Sequence, residues 1–283
     1  MESWVLNCYL CGSPNTRLLR KVRDHDLLIC SDCGLVYRQN REDGAGISAD
    51  QEKFFREYLK EEELYAAYFN EKLRGIESRR PVGALLDFGC GAGTFLRCAR
   101  ERGWEVVGVE GSSPAAAYSR HTGLDIREGV IENLSLSGLF DVVTAFQSIE
   151  HFADPVAFLN SIRTLLKPGG LLVLTTPDRK SLLGTLLGKR WFGYFNDEHL
   201  FFYDCDSFRR SIQKAGFADI VVTRESGRRL SPSWVLTRLL HYYYTEPGFM
   251  RQLFVRSEPI WRRLDWIHVS EPAVNLVAMA WNR

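Results

Sequence analysis

From Pro81 onward, short apolar runs alternate with stretches whose apolar residues recur at helical spacing, the order expected of a parallel sheet with helices on both faces. The runs predict strands at Ala84–Phe88, Glu105–Val109, Asp125–Arg127, Asp141–Phe146 and Leu171–Thr175, and a closing pair at Ile220–Thr223 and Leu276–Trp281. Helices are predicted at Gly93–Arg102, Pro114–His121, Asp154–Leu166 and near Asp206–Ala215, with Lys167-Pro168-Gly169-Gly170 as the stop signal of the third. Ahead of them Phe54, Tyr58, Tyr65, Tyr68, Phe69, Leu73 and Ile76 recur near helical spacing, which predicts a helix that covers the cleft of the following domain.

Residues 1–40 differ from the rest. They are poor in helical periodicity and rich in turn residues, so they hold too small a core to fold unaided. The polar stretch from Asn40 to Asp50 separates them from the helix. The expected organisation is therefore a small module at 1–40, a linker and covering helix at 41–80, and an α/β domain at 81–283. Within that domain the segment at about 224–272 carries Trp234, Leu236, Leu239, Leu240, the run Tyr242-Tyr243-Tyr244, Phe249, Leu253, Phe254 and Trp261 among several arginines. It reads as an insertion of two amphipathic helices. Core packing, an acceptor lid, a homodimer contact and a surface resting on membrane lipid all remain open for it.

A 283-residue chain with 45% hydrophobic and 25% charged residues and a formal net charge of +1 is an ordinary globular protein. Its charge balance predicts no nucleic-acid partner. The start of the chain lacks the basic and apolar regions of a signal peptide, and no apolar run approaches the ~20 residues of a membrane span, which predicts a cytoplasmic location. In that reducing setting the seven cysteines divide into two groups. Cys8 with Cys11 and Cys30 with Cys33 each enclose two residues, and a glycine follows each pair. Two such knuckles offer four thiolates to a closed tetrahedral site with no position left for water, which predicts structural Zn2+, rubredoxin-like iron being the alternative. Cys90, Cys98 and Cys205 read as core fillers.

The stretch Leu85-Leu86-Asp87-Phe88-Gly89-Cys90-Gly91-Ala92-Gly93-Thr94 runs from a buried strand through a glycine-dense turn into a helix, so a ligand can approach the backbone closely. The next strand ends at Glu110-Gly111, where a carboxylate can accept both hydroxyls of a ribose held at the neighbouring strand end. A dinucleotide fingerprint needs a glycine where Thr94 stands, which disfavours a nicotinamide cofactor. These residues resemble motif I of the class I S-adenosylmethionine-dependent methyltransferases. The resemblance extends over about Pro81–Thr223 and implies a Rossmann-like seven-stranded α/β sheet, mostly parallel with its last strand antiparallel. It also implies that Asp87, Gly89, Cys90, Gly91 and Gly93 line the methionine end of S-adenosylmethionine, Glu110 and Gly111 the ribose, and Phe146 and Gln147 the fourth-strand side. The segment Gly129–Leu134 resembles the adenine-contacting region. Val130 stands where the family often has an acidic residue, so backbone groups of Val130 and Ile131 are expected to meet the adenine.

Methyl transfer is an in-line displacement that depends on placing the acceptor close to the sulfonium carbon in a dry site. For a hydroxyl acceptor a proton must also leave, which suits a histidine. Glu150-His151, just beyond the fourth strand, resembles the Glu-His pair of small-molecule O-methyltransferases and makes His151 the favoured base, with capping of the next helix or plain substrate contact as the other roles. Glu198-His199 lies in the aromatic segment Trp191–Phe201 and makes His199 the second candidate. Those aromatics either wall an acceptor pocket or pack their loop onto the domain. The whole chain resembles a bacterial subgroup acting on small molecules such as sugars, secondary metabolites or lipid-linked intermediates. A nucleic-acid or protein methyltransferase with the zinc module as reader is the competing class, although the Pro-Pro-aromatic turn of amino methyltransferases is replaced here by Phe146-Gln147-Ser148-Ile149. A non-catalytic cofactor sensor is the third.

Overall fold

The computed structural model describes residues 7–22, 25–39, 55, 58–129, 139–226, 229–230, 269–270 and 273–283. The chain opens with three antiparallel strands, β1 (Thr16–Val22), β2 (His25–Cys30) and β3 (Val36–Arg38). Helix α1 (Glu62–Glu77) follows, with Glu62 and Glu63 in its first turn and Arg74 in its last, where each charge complements the helix dipole. It buries Tyr65, Leu73 and Ile76 along one face.

The α/β unit then runs β4 (Ala84–Phe88), α2 (Thr94–Glu101), β5 (Glu105–Glu110), α3 (Ser113–His121), β6 (Asp125–Glu128), β7 (Phe140–Phe146), α4 (Pro155–Leu165) and β8 (Leu166–Pro177). After it come a short helix α5 (Leu182–Leu187), a two-residue strand β9 (Phe201–Phe202), α6 (Cys205–Lys214) and β10 (Ala218–Ser226). A two-stranded ribbon of β11 (Arg229–Leu230) and β12 (Val269–Ser270) precedes the last strand, β13 (Ala273–Trp281).

Seven strands form one sheet in the order β10-β13-β8-β7-β4-β5-β6. Strands β4 to β8 pair in parallel, while β13 is antiparallel to both β8 and β10. This is the expected sheet with its last strand reversed. Helices cover both faces, so β4 reads as the near-continuous apolar run Ala-Leu-Leu-Asp-Phe. Leu86, Phe88, Val143 and Phe158 pack on one side, and Leu85, Phe95, Leu96 and Val142 on the other. Each such buried side chain contributes about 1.5–3 kcal/mol. Chain order reverses at β4, whose neighbours are β5 and β7. Such a switch point opens a crevice at the carboxyl ends of the strands.

Three features depart from the sequence expectations. Strand β8 begins at Leu166 rather than Leu171, because Leu166 pairs with Phe140 and the Lys-Pro-Gly-Gly segment, with Gly169 at φ +73°, takes up the register shift before Leu171 pairs with Val142. Asn282 holds it there, donating from its side chain to the Leu166 carbonyl and exchanging backbone hydrogen bonds with Gly169 and Gly170. The residues after β8 also contain the short helix α5, which the sequence expectations do not include. Finally, β3 pairs antiparallel with β9 (Val36 with Phe202, Tyr37 with Phe201), so the N-terminal sheet gains its fourth strand from the α/β domain. Phe54, the Asn40–Asp50 linker and nearly all of the predicted helical insertion lie outside the described residues. Among the described residues no helix is long and apolar enough to cross a membrane.

Candidate active site

The turn after β4 sits at the switch point. Gly91 has φ +54° and Gly93 φ +71°, left-handed values that side-chain-bearing residues avoid, and the two differ in what surrounds them. A Cβ on Gly93 would lie 2.5 Å from Leu124 Cδ1, so glycine is needed there for the close approach of turn and helix α3. A Cβ on Gly91 would meet no protein atom within 4 Å. The turn is tied to the end of β5 by Glu110, which accepts from the Gly91 N–H at 2.7 Å and from the Ser112 N–H at 2.8 Å. Burial raises the Glu110 carboxyl above its usual range, against the lowering by the Ser112 and Gly91 amides. Gly111, beside it, also faces open space. Turn and carboxylate thus form one cradle, open at Gly91 and Gly111.

Asp87 lies beneath this cradle, buried, with its Oδ1 accepting from Thr144 Oγ1 at 2.6 Å. Burial pushes its carboxyl up to about 8, against the lowering by the Thr144 hydroxyl. Cys90 is turned the other way. Its thiol packs near Leu96 and Ile126, burial raises its pKa, and its N–H goes to the Val109 carbonyl. The sulfur is thus turned into the core, and the Cys90 backbone is spent within the turn, its carbonyl accepting from the Gly93 N–H at 2.9 Å. Phe146 joins Phe95 and Phe69 in an aromatic stack, with ring centroids 4.8 Å and 5.7 Å away, that fastens α1 over the strand ends. At the other end of α1, Glu62 accepts from Thr94 Oγ1 at 2.9 Å and pairs with Arg97, beside the glycine turn. The predicted covering helix is thus anchored next to the cradle. Gln147 adopts φ +52°, a strained value for its type, held by hydrogen bonds from its N–H and side chain to Thr175. Val130 and Ile131, expected at the adenine, lie outside the described residues.

Glu150 and His151 sit on a short 3-10 turn just past β7. That turn is joined to the cradle because Ser148 Oγ donates to the Phe88 carbonyl at 3.2 Å. Glu150 is fully buried; Oε2 accepts from Thr176 Oγ1 at 2.9 Å, whereas Oε1 has no hydrogen-bond partner among the described residues. Burial raises its carboxyl, opposed by the neighbouring His151. His151 is half-buried, and its Nδ1 lies 3.1 Å from the Glu198 carbonyl, so Nδ1 carries the proton and Nε2 keeps a free lone pair. His199 comes from 48 residues away in sequence, yet its ring lies edge-on to that of His151 with centroids 4.9 Å apart. The two predicted candidates are therefore one cluster. Asp154, not His151, caps helix α4, accepting from the Ala157 N–H at 2.6 Å.

Most rings of the aromatic segment are taken up in packing, although the Phe202 ring lies 6.2 Å from that of His199. Trp191, Tyr194 and Phe202 are buried against Val22, Leu27 and Val36 of the N-terminal sheet, and Phe201 packs in the main core. Cys8, Cys30 and Cys33 are buried in the main core cluster that also holds Phe201. Cys8 and Cys33 sulfurs are 3.4 Å apart, Cys11 and Cys30 sulfurs 3.6 Å apart, and all four fall within 4.8 Å of one another. These distances exclude disulfides, whose sulfurs are ~2.05 Å apart, and fit a tetrahedral thiolate shell, in which 2.3 Å bonds place sulfurs about 3.8 Å apart. Each knuckle is closed by a glycine amide, Gly12 to the Cys8 carbonyl at 2.7 Å and Gly34 to the Cys30 carbonyl at 3.0 Å.

A switch-point crevice, a left-handed glycine turn and an acid at the end of the next strand define the class I methyltransferase architecture. Comparison with known proteins agrees. A family model described as a methyltransferase domain matches residues 55–222, and the chain belongs to that methyltransferase-domain family. It is similar to the ubiquinone biosynthesis O-methyltransferase of Cereibacter sphaeroides, at 39% identity over 116 residues covering 38% of this chain and 47% of that protein. The protein of the same name from Ruegeria pomeroyi is 37% identical over 133 residues, covering 42% and 54%. The chain thus spans about half the length of the curated relatives it matches. A Thermotoga maritima S-adenosylmethionine-dependent methyltransferase, a possible histamine N-methyltransferase, shares the fold with TM-score 0.55 and 21% identity over 82% of this chain and 98% of its own.

Proposed function

We propose that this chain transfers the methyl group of S-adenosylmethionine to a hydroxyl of a small-molecule acceptor. The observation that carries the reading is the Gly91–Glu110 cradle, where an open left-handed turn and a buried carboxylate are locked together at the switch point. Asp87 and the backbone of Gly89 to Gly93 would hold the amino-acid end of the cofactor, and Glu110 with Gly111 its ribose. Phe146 and Gln147 would close the fourth-strand side, and the backbone of Val130 and Ile131 would meet the adenine. When bound, the cofactor supplies an electrophilic sulfonium methyl, which passes to the acceptor oxygen as the sulfur–carbon bond breaks and sulfur keeps the electron pair. The protein's part is to exclude water, which α1 does from above, and to take the acceptor's proton. His151 Nε2 is the group placed for that, with its tautomer set by the Glu198 carbonyl.

Two neighbouring O-methyltransferase relatives support an oxygen acceptor. The cysteine module takes a structural zinc ion, and its role is to brace the loop that carries His199 rather than to read a polymer. The supporting observation is that β3 faces inward and pairs with β9. Calorimetry with S-adenosylhomocysteine tests the cofactor assignment; binding is expected, and no uptake by folded protein that binds a nicotinamide dinucleotide would overturn it. His151→Ala and His199→Ala, assayed by labelled methyl transfer to a panel of catechols and sugars, test the base. At least one is expected to lose most turnover while homocysteine-nucleoside binding persists, and near-normal turnover in both refutes the assignment.

A further inference from the structure

The buried Glu150 carboxylate is half satisfied. One oxygen takes the Thr176 hydroxyl, while Oε1 has no hydrogen-bond partner among the described residues and lies 4.0 Å from His199 Nε2. A fully buried carboxylate oxygen without a donor is costly unless a cation or proton meets it. Around it, one ligand atom each of Glu150, His151 and His199 fall within 4.8 Å of one another. The geometry points to a second metal site, in which Glu150, His151 and His199 bind one divalent transition-metal ion beside the cofactor cradle.

The donor set selects the ion. Two imidazoles and one carboxylate suit Zn2+, Mn2+, Fe2+ or Co2+ and not the all-oxygen preference of Mg2+ or Ca2+. Bonds of about 2.1 Å place neighbouring ligand atoms about 3.0–3.4 Å apart, so the cluster must contract by roughly 1 Å. His199 makes that movement by exchanging one partner: its Nε2 lies 2.8 Å from Asn196 Nδ2, and the Asn196 side-chain oxygen already accepts from the Glu198 N–H, so the amide donates to the ring. Nε2 is therefore the unprotonated nitrogen, its lone pair held by the Asn196 amide, which a metal ion would displace. His151 is likewise fixed with its Nε2 unprotonated by the Glu198 carbonyl. Carbonyl contacts of this kind are the usual outer support of metal-ligating histidines. Three protein ligands leave positions open for an acceptor's oxygen atoms. A hydroxyl held there becomes more acidic, so its proton leaves to solvent before the oxygen lone pair forms the new bond to carbon.

This inference rests on the methyltransferase reading for its use, not for its existence; with the ion bound, His151 Nε2 is a ligand rather than the base, and the acceptor gives up its proton as it binds the ion, before water is excluded. The test uses the full chain, freed of loosely held metal by a chelator and titrated with Mn2+ while the six-line electron paramagnetic resonance signal of the free ion is followed. Mn2+ prefers nitrogen and oxygen donors to the four thiolates, so the cysteine site does not contribute. One Mn2+ per chain is expected to bind, displaceable by Zn2+. His199→Ala and Glu150→Gln should each weaken it at least tenfold, with S-adenosylhomocysteine affinity changed less than threefold. His151→Ala, at a half-buried position, serves if a buried substitution unfolds the chain. Wild-type protein that takes up S-adenosylhomocysteine but no stoichiometric Mn2+ or Zn2+ beyond its cysteine-bound ion overturns the site, as does Mn2+ binding that survives His199→Ala and His151→Ala. Failure to bind S-adenosylhomocysteine instead sinks the cofactor assignment and leaves the metal result to stand by itself.

Discussion

Gly91→Ala and Gly93→Ala place the same methyl group two residues apart in the same turn, and the structure predicts opposite outcomes. Both positions are left-handed, at φ +54° and φ +71°, so each substitution carries about 1–2 kcal/mol of backbone strain, offset by about 0.5–1 kcal/mol from the stiffer unfolded chain. At Gly91 nothing is added to that, because the new Cβ meets no atom within 4 Å, and the N–H that holds Glu110 survives the change. The net cost is about 1 kcal/mol. At Gly93 the Cβ arrives 2.5 Å from Leu124 Cδ1 and 3.2 Å from Ser119 Oγ, both against helix α3 or its exit. Overpacking of that kind costs about 1–3 kcal/mol more. Binding should show the reverse order. The Gly91 methyl enters the space proposed for the methionine end of the cofactor, where the same 1–3 kcal/mol corresponds to a roughly 10- to 100-fold loss of affinity. Urea unfolding without ligand and calorimetry with S-adenosylhomocysteine measure the two quantities on the same preparations. A Gly91→Ala protein that binds as tightly as wild type would refute the placement of the cofactor over this turn.

Other expectations follow from the same geometry. Because Asp87 is raised to about 8 by burial, the folded state holds a proton that the unfolded state releases near pH 4. Stability should therefore fall as pH rises between about 4 and 8 and level off above, and Asp87→Asn should flatten that slope in thermal melts taken across the range; an unchanged slope counts against a protonated Asp87. A cationic cofactor beside Asp87 favours its ionised form, so uptake near pH 7 should release a proton, seen as a dependence of calorimetric enthalpy on buffer ionisation heat. Cys30→Ser should remove close to one equivalent of zinc by elemental analysis and unfold the N-terminal sheet, since a structural zinc ion supplies on the order of 10 kcal/mol to such a segment; metal content below half an equivalent in the wild-type protein would rule the zinc assignment out. Glu62→Ala, which releases Thr94 and Arg97 from α1, should cost about 1 kcal/mol or less in stability and raise the dissociation rate of S-adenosylhomocysteine in stopped-flow traces.

The α/β unit was readable because its signals are local and agree with one another. Apart from the edge strand β6, each strand of the parallel set is a short, mainly apolar run, and the glycine turn follows its strand directly. The N-terminal sheet was not readable for two reasons. In β1 the sequence Thr-Arg-Leu-Leu-Arg-Lys-Val sets two leucines side by side, and the register shift between Leu18 and Arg20 breaks the alternation by which a strand is recognised. Strand β9 has two residues, too few for any period, and its partner β3 lies more than 160 residues earlier in the chain. A shorter separation, 48 residues between the two histidines, hid the Glu150, His151 and His199 cluster. The two Glu-His pairs looked like rival candidates in sequence, and only the return of the loop after β8 shows that a histidine from each faces the other. The rings of Trp191 and Tyr194 were ambiguous for a different reason: apolar side chains look alike whether they fill a pocket or a core, and here the N-terminal sheet takes them.

That shared sheet explains why a cysteine knuckle and a methyltransferase fold are joined in one chain. Leu200 is the hinge of the argument. Its N–H donates to the Glu150 carbonyl at 2.8 Å and its own carbonyl accepts from the Arg38 N–H at 3.0 Å, so a single residue ties the end of β3 to the acid of the candidate site. Arg179 adds a second tie, donating to the Gly34 carbonyl at 2.8 Å while pairing with Asp204, the cap of α6. Lys214, at the other end of that helix, donates to the carbonyls of Tyr9 and Leu10 in the first knuckle. Within the 188–200 loop, which has only short 3-10 turns of its own, Asn196 orients the His199 ring, but a short loop alone does not hold a histidine to within the few tenths of an ångström that acceptor placement demands. The knuckle sheet supplies that rigidity from outside. Damage to the cysteine site should accordingly reach the chemistry through the position of His199, lowering turnover well before it weakens the hold on the cofactor, whose cradle is built from β4 and β5 and shares no residue with the module.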